Sequence, residues 1–288
     1  MMQKNGQNNM SDDKSIRVKV IEVTRWAPTL LSFKVTRPDG FKFTAGQFVR
    51  LGLNPTELQH FNQDQSTLAS SVLDERIFRA YSVASSPFDE FLEFFSVVIV
   101  DGAFTSRLQY LQVGDRLWLN PMPFGYLTLA RYQQPAPKDL WLLATGTGLA
   151  PFLSLTRDPE VYERFDKVIL VHGVRYVSEL GYRERFEREL FNDEYLADYV
   201  KDKFIYYPTV TREPFRNEGR MTNLMRSGKL FEDIGLPPMN PTDDRAMICG
   251  SPSMNKDVAA LLDEYGLKCS PRMGGTGDYV VERAFVEQ

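Results

Sequence analysis

The chain has 288 residues, a formal net charge of −4, 43% apolar residues and 25% charged residues. This length predicts about two domains, and the negative charge argues against a nucleic-acid-binding protein. No stretch approaches about eighteen consecutive apolar residues, so we expect no membrane-spanning helix. Two cysteines are too few for a cysteine-ligated iron–sulfur cluster, so we expect no metal site and no disulfide framework in a protein of the reducing cytoplasm.

Residues 1–14 are polar and rich in Asn, Gln and Asp, which predicts a disordered tail. Short strand-like runs follow, separated by Pro, Gly, Asp and Ser. These runs are residues 16–24, 30–36, 47–53, 78–84, 91–98 and 116–119. Six strands without a convincing helix predict an antiparallel barrel. Residues 54–75 are weakly patterned and are interpreted as a long loop.

Residues 131–139 contain two prolines and two glutamines and are the predicted linker between domains 15–137 and 138–288. Beyond them, strand-like and helix-like patterns alternate, which is typical of a parallel, nucleotide-binding sheet. The predicted strands are residues 140–145, 167–172, 203–208 and 246–250. The predicted helices are residues 150–156, 179–196, 223–227 and 252–265.

A glycine turn follows the first predicted parallel strand and leads into a helix, the context in which backbone amides bind a pyrophosphate. Proline stands where the dinucleotide fingerprint has its third glycine, so the pattern is incomplete, and an ordinary strand-to-helix turn remains an alternative. The candidate nucleotide-binding residues of this turn are Thr145, Gly146, Thr147, Gly148 and Pro151.

Two arginines after a later strand are candidates for the 2′-phosphate that distinguishes NADP from NAD. They are Arg212, in Thr211-Arg212-Glu213, and Arg220, in Gly219-Arg220. Two charge-assisted bonds of about 1.5 kcal/mol each would give a preference of roughly a hundredfold. The alternative is a pair of solvated surface arginines.

The sequence Arg79-Ala80-Tyr81-Ser82 places a cation, an aromatic ring and a hydroxyl within one strand. This set suits a flavin: Arg79 for a phosphate, Tyr81 for stacking on the isoalloxazine, and Ser82 for a hydrogen bond near the reactive ring nitrogen. An exposed strand with alternating polar residues is the alternative interpretation.

A second glycine turn leads into a short helix with hydroxyls near its start, which offers another phosphate site or a routine helix cap. Its residues are Gly102, Ala103, Phe104, Thr105 and Ser106.

Taken in order, these motifs make the chain resemble the bacterial ferredoxin–NADP reductase family over almost all of its length after residue 14. The motifs are Arg79-Ala80-Tyr81-Ser82, Gly102 to Ser106, Gly146 to Pro151, His172-Gly173-Val174-Arg175, Thr211-Arg212-Glu213, Gly219-Arg220, Cys249-Gly250-Ser251 and Ala284-Phe285-Val286-Glu287. The resemblance implies an antiparallel Greek-key β-barrel that holds FAD, followed by a Rossmann-like parallel-sheet domain that holds NADP(H). Segment 54–75 is longer than the turn expected in the family.

The resemblance also assigns residues that physical reasoning alone does not. It implies that Arg175 and Cys249-Gly250-Ser251 line the NADP site, although Cys249 and His172 would otherwise be interpreted as buried strand residues. It implies that the C-terminal tail folds back over FAD, with Ala284 beside the flavin ring, Phe285 against the adenine and Glu287 as a proton relay. The catalytic candidates are Tyr81, Ser82, Cys249, Ala284 and Glu287.

The implied activity is hydride transfer between NADP(H) and FAD, with single electrons exchanged with ferredoxin or flavodoxin. Arg50 and Arg107 are candidate contacts for such an acidic partner. The resemblance favours a monomer. A flavin or quinone reductase on the same scaffold and a non-catalytic FAD- and NADP-binding redox sensor are the alternative functions.

Overall fold

The computed structural model describes residues 14–54, 76–132, 137–271 and 275–283. These residues form one antiparallel sheet followed along the chain by one parallel sheet. The predicted loop at 54–75 apart from its first residue, most of the predicted N-terminal tail, and the C-terminal candidates Ala284, Phe285 and Glu287 lie outside the described residues.

The antiparallel sheet has the six strands that the sequence predicts, with a longer last strand. The strands are β1 (Ile16–Ala27), β2 (Leu30–Thr36), β3 (Phe48–Leu53), β4 (Ile77–Ser82), β5 (Phe91–Val97) and β6 (Arg116–Phe124). Their order is β4-β3-β6-β1-β2-β5. Alternate side chains point inward and form one apolar core that includes Val20, Phe33, Leu51, Phe94 and Leu119.

The two outer strands of this order, β4 and β5, are joined to each other. The hydroxyl of Tyr81 on β4 lies 2.9 Å from that of Ser96 on β5. Just after β4, the Ala84 N–H donates to the Glu93 carbonyl on β5 at 2.8 Å. The sheet therefore closes on itself, and the predicted antiparallel barrel is confirmed.

The parallel sheet contains β7 (Asp139–Thr145), β8 (Lys167–Val174), β9 (Phe204–Val210), β10 (Asp244–Gly250) and β11 (Tyr279–Arg283). Their order is β11-β10-β7-β8-β9, with all pairs parallel. The side chains from Leu140 to Ala144 are fully buried, because helices cover both faces of the central strands. The predicted parallel sheet is confirmed, while β11 was not predicted.

The helices are short apart from the last one. They are α1 (Thr105–Leu108), α2 (Ala150–Leu155), α3 (Pro159–Arg164), α4 (Ala197–Val200), α5 (Met221–Arg226), α6 (Lys229–Ile234) and α7 (Pro252–Glu264). Among the described residues, no helix has the length and apolar character needed to cross a bilayer.

The single helix predicted at residues 179–196 is wrong. Tyr182 has a φ of 62°, the left-handed region, so a helix cannot run through it. Tyr182 is held there by contacts with the barrel: its hydroxyl donates to Glu93 at 2.8 Å and its ring lies 4.6 Å from that of Trp26. Separate π and 3₁₀ turns follow at Arg185–Glu189 and Leu190–Asn192.

The barrel and the parallel sheet share one apolar core. Leu30 and Phe95 of the barrel belong to the same buried cluster as Leu142 and Phe152 of the parallel unit. At the rim of this cluster, the Arg157 guanidinium makes a two-pronged ion pair with the Asp89 carboxylate, with N···O distances of 2.6 and 2.8 Å. These contacts fix how the ends of the parallel strands face the barrel.

Candidate functional site

The parallel strands β7 to β10 end at the same edge of their sheet, and the segments that follow them carry the predicted NADP residues. Ligands of open parallel sheets bind at this carboxyl edge. The strands end at Thr145, Val174, Val210 and Gly250.

The glycine turn after β7 packs directly on the end of β10. A Cβ on Gly148 would lie 2.0 Å from the Cys249 carbonyl oxygen, and a Cβ on Gly250 would lie 2.3 Å from the Thr145 hydroxyl. Gly146 has a φ of +53° with open space around it. Close contact thus requires glycine at 148 and 250, and the left-handed backbone conformation favours it at 146.

The Ser251 backbone N–H donates to the Thr145 hydroxyl at 3.3 Å, which joins the two turns. The Ser251 side chain caps α7 by accepting from the Met254 N–H at 3.3 Å. Pro151 is buried in the first turn of α2. The structure therefore brings the predicted segments 145–151 and 249–251 into one surface.

The segments after β8 and β9 are also joined. The Arg212 N–H donates to the Arg175 carbonyl at 2.9 Å, and the Thr211 hydroxyl donates to the Val174 carbonyl at 3.2 Å. The Arg175 guanidinium is engaged with the Glu179 carboxylate at 2.6 Å, so a nucleotide would share it with that acid.

Arg212 and Arg220 belong to one loop after β9, and this loop closes back on the end of the strand. The Gly219 N–H donates to the Val210 carbonyl at 2.8 Å. Both arginines are exposed, and within the described part of the chain neither guanidinium forms an ion pair or a hydrogen bond. Two exposed cations on one loop, neither of them paired with a carboxylate, are suited to a phosphate.

The two predicted flavin motifs meet inside the barrel. The Tyr81 ring is 8% exposed and packs 5.6 Å from that of Phe104. Arg79 is half-buried, Ala80 is exposed and Ser82 is half-buried. The structure thus gives Tyr81 a packing role, and its stacking on a flavin stays a prediction.

The turn at residues 102–106 is shaped by its own hydrogen bonds. The Thr105 hydroxyl accepts from the Ile99 N–H at 3.1 Å, and a Cβ on Gly102 would lie 2.7 Å from that hydroxyl oxygen. The residue that precedes α1, Phe104, has no side-chain cap. Arg107 is only 5% exposed, because its guanidinium bonds to the Ala103 carbonyl. The expectation that Arg107 meets a partner on the surface was therefore wrong.

A carboxyl that sequence reasoning missed lies where the two sheets meet. Glu282 is paired in register with Cys249, and its carboxylate accepts from the Tyr126 N–H at 2.7 Å. Burial raises the Glu282 pKa to about 7, although the Tyr126 N–H partly opposes this. Sequence reasoning assigned the acid to Glu287, because β11 was not predicted and nothing indicated that Glu282 reaches Tyr126.

Cys249 is 1% exposed, and burial, reinforced by the nearby Glu282, raises the pKa of its thiol well above the usual value. His172 is fully buried beneath the glycine turn, where burial lowers its pKa to about 4. Its Nδ1 lies 3.3 Å from the Tyr206 hydroxyl. Neither group is prepared to act as a nucleophile or base exposed to solvent, and both shape the floor of the site.

A family model described as an oxidoreductase NAD-binding domain matches residues 142–260. A ferredoxin–NADP reductase of Pseudomonas aeruginosa is 56% identical over 271 residues, covering 94% of this chain and 97% of that relative. A flavodoxin/ferredoxin–NADP reductase of Rhodobacter capsulatus is 45% identical, with 93% and 92% covered.

Among solved structures, a ferredoxin NADP⁺ reductase from Neisseria gonorrhoeae with bound FAD and NADP is similar to this chain, with a TM-score of 0.79 and 30% identity. The similarity covers 94% of this chain and 99% of that one. Since such relatives span nearly the full length of both chains and the fold agrees, this chain belongs to the ferredoxin–NADP reductase family.

Proposed function

We propose that this protein is an FAD-dependent reductase that moves a hydride between NADP(H) and its flavin, and single electrons between the flavin and ferredoxin or flavodoxin. One observation carries the proposal: the end of the flavin strand and the end of the predicted nicotinamide strand meet around one half-buried carboxyl, that of Glu282. In the barrel, Ser82 of β4 is the strand partner of Phe48 on β3. The Phe48 ring and the Glu282 carboxylate both lie against Gly125. In the parallel sheet, Glu282 of β11 is the strand partner of Cys249 on β10.

We place the flavin ring at this junction, where the Glu282 carboxylate and the Phe48 ring approach each other across Gly125. Gly125 has no side chain, and a Cβ there would lie 3.2 Å from both the Glu282 carboxylate and the Phe48 ring. We assign Ser82 to the reactive edge of the ring, and Arg79 with the turn at 102–106 to the FAD phosphates. When bound, FAD supplies the hydride and one-electron chemistry that side chains lack.

NADP(H) fits the carboxyl edge of the parallel sheet. The turn at 145–148 offers backbone N–H groups to the pyrophosphate, and Gly146 leaves its backbone uncovered. Arg212 and Arg220 bind the 2′-phosphate, and Cys249-Gly250-Ser251 hold the nicotinamide beside the barrel. The buried, neutral Cys249 thiol contributes shape and excludes water.

We assign the acid of the site to Glu282. A carboxyl with a pKa of about 7 holds its proton in about half of the molecules at neutral pH. It can therefore release or accept a proton as the charge beside it changes. Replacing Glu282 with Gln should remove a titration near pH 7 from the rate of NADPH-driven flavin reduction.

The experiment that tests the function is an anaerobic stopped-flow titration with NADPH and, separately, NADH, followed by addition of oxidised ferredoxin or flavodoxin. We expect rapid loss of flavin absorbance with NADPH, much slower loss with NADH, and reoxidation by the carrier. The Ser82→Ala variant should transfer hydride more slowly with nearly unchanged NADP affinity. A protein that binds no FAD, or a flavin that neither nucleotide reduces, would contradict the proposal.

The same titration separates the alternative functions. A free-flavin or quinone reductase would lose FAD on gel filtration and would reduce small acceptors faster than the carrier proteins. A redox sensor would bind both nucleotides and turn over slowly with every acceptor. We further propose that the protein acts as a cytoplasmic monomer, which size-exclusion chromatography with light scattering and cell fractionation would test.

A further inference from the structure

A cavity of about 300 Å³ lies between β11, α7 and the segment that follows β6. This volume is at the lower end of the range for small-molecule sites, which begins at roughly 300 Å³. Its walls include Val280 and Val281 on β11, Asn255 on α7, and Tyr126 with Arg131 from the segment after β6. None of the described residues that we assign to FAD or NADP(H) lines it.

The cavity is positively charged. Arg131, Lys256 and Arg283 line it, and none of the described lining residues is acidic. The Arg131 guanidinium is fixed in place: one of its nitrogens donates to the Pro271 carbonyl, and the group lies 4.9 Å from the centre of the Tyr126 ring. Three cations around one cavity favour an anionic ligand.

Three lining residues also carry a buried polar atom that has no hydrogen-bond partner among the described residues. These atoms are the Asn255 Oδ1, the Ser270 Oγ and the Arg131 Nε. Asn255 is 5% exposed and Ser270 is 7% exposed. An unpartnered buried polar atom costs about 1–3 kcal/mol, so three of them beside one cavity indicate a site built for a polar ligand.

The orientation of Asn255 restricts the chemistry of that ligand. Its Nδ2 donates to the Glu282 carbonyl at 2.8 Å, which leaves Oδ1 as an acceptor toward the cavity wall. A ligand that satisfies it must carry an O–H or N–H donor in addition to its negative charge. Ser270 can meet the same ligand, because rotation about its Cα–Cβ bond turns the hydroxyl outward.

We propose that this cavity binds a small hydroxylated organic anion, such as a phosphate ester or a hydroxy acid, separately from FAD and NADP(H). The cations neutralise its charge, Asn255 accepts from its hydroxyl group, and Val280 and Val281 pack against its carbon atoms. The proposal does not depend on the redox activity, and its test does not use that activity.

The test uses the two cysteines of the chain. Cys269 lines the cavity and is exposed, whereas Cys249 is buried. The rate at which N-ethylmaleimide alkylates Cys269 in the FAD-loaded protein, measured by mass spectrometry, therefore reports on the cavity. Glycerol 3-phosphate is the probe. Inorganic phosphate tests the effect of its charge alone, and glycerol tests the effect of its hydroxyl groups alone.

We expect saturable protection by glycerol 3-phosphate with a midpoint at about 1 mM, weaker protection by phosphate, and none by glycerol. Lys256→Glu should weaken protection by about tenfold or more, and Ser270→Ala should weaken it less. Lys201→Glu, at an exposed lysine away from the lining, should leave it unchanged. The flavin spectrum and melting temperature of each variant report whether it has folded.

The proposal is overturned if glycerol 3-phosphate does not slow alkylation, or if glycerol protects as well as the phosphate ester does. It is also overturned if folded Lys256→Glu protein is protected as fully as the parent.

Discussion

The Glu282 carboxylate on β11 accepts the backbone N–H of Tyr126, which follows β6, at 2.7 Å, so the parallel sheet is tied to the barrel through a titratable group. Burial raises its pKa from 4.5 to about 7. Between pH 4.5 and about 7, this carboxyl is deprotonated in the unfolded chain but still protonated in the folded protein. The free energy of unfolding therefore decreases as pH rises. The contribution of Glu282 to stability is full below pH 4.5 and is lost through about pH 7.

The Glu282→Gln variant should therefore gain stability over the parent protein as pH rises. The difference in the free energy of unfolding should grow by up to about 3 kcal/mol between the two pKa values. Urea denaturation across this pH range measures it, with Glu287→Gln as the matched control. A difference that stays constant with pH would show that the Glu282 pKa is not raised.

His172 predicts the opposite pH dependence. Burial lowers its pKa from 6.5 to about 4, so between these values the unfolded chain binds a proton that the folded protein does not. Stability should increase with pH in this range by at most about 1.4 kcal/mol per pH unit and level off above it. His172→Gln should remove this slope, and His60→Gln, at the other histidine, should retain it. An unchanged slope in His172→Gln would contradict the prediction.

The two exposed arginines should determine cofactor preference. Arg212→Ala and Arg220→Ala should each weaken NADPH binding by about tenfold, and the double variant by roughly a hundredfold, with little effect on NADH. Fluorescence or absorbance titration measures both affinities. Arg216→Ala is the control, because this arginine of the same loop pairs with Glu187 and is not assigned to the nucleotide. Equal losses for NADH and NADPH would remove the 2′-phosphate assignment.

The glycines of the nucleotide turn should differ in their tolerance of a methyl group. Gly148→Ala and Gly250→Ala place a Cβ 2.0 and 2.3 Å from neighbouring oxygens, so the strand ends must separate. Gly146→Ala meets open space and pays only the left-handed backbone cost of about 1–2 kcal/mol. Urea denaturation should rank Gly146→Ala as the mildest. Equal destabilisation of all three would contradict the packing of the turn on β10.

The barrel and the central parallel strands were predictable from their sequence patterns. Apolar and polar residues alternate from Leu31 to Thr36 in β2, and β7 is an apolar run that is buried from Leu140 to Ala144. The helix α3 was missed although its signals are present: Asp158 caps it by accepting from the Glu160 N–H at 3.1 Å, and Pro159 begins it. A capping aspartate followed by proline is sufficient to predict a helix start at this position.

Other features depend on contacts that the sequence does not display. Tyr182 breaks the predicted helix because Glu93, far away along the chain, binds its hydroxyl. Glu282 could be recognised only once β11 was known to pair with β10 and to reach Tyr126. The glycine turn, by contrast, follows its strand and leads into its helix as the local pattern predicts.

The barrel and the parallel sheet share one apolar cluster, to which Leu30, Phe95, Leu142 and Phe152 belong. Cutting the chain between the two sheets would leave each half with part of an open core and would break the Arg157–Asp89 pair. Neither half should therefore persist as a stable fragment, and heating should melt both in one cooperative step. A chimaera that takes its barrel from one reductase and its nucleotide unit from another would have to carry the matching interface residues of both parents.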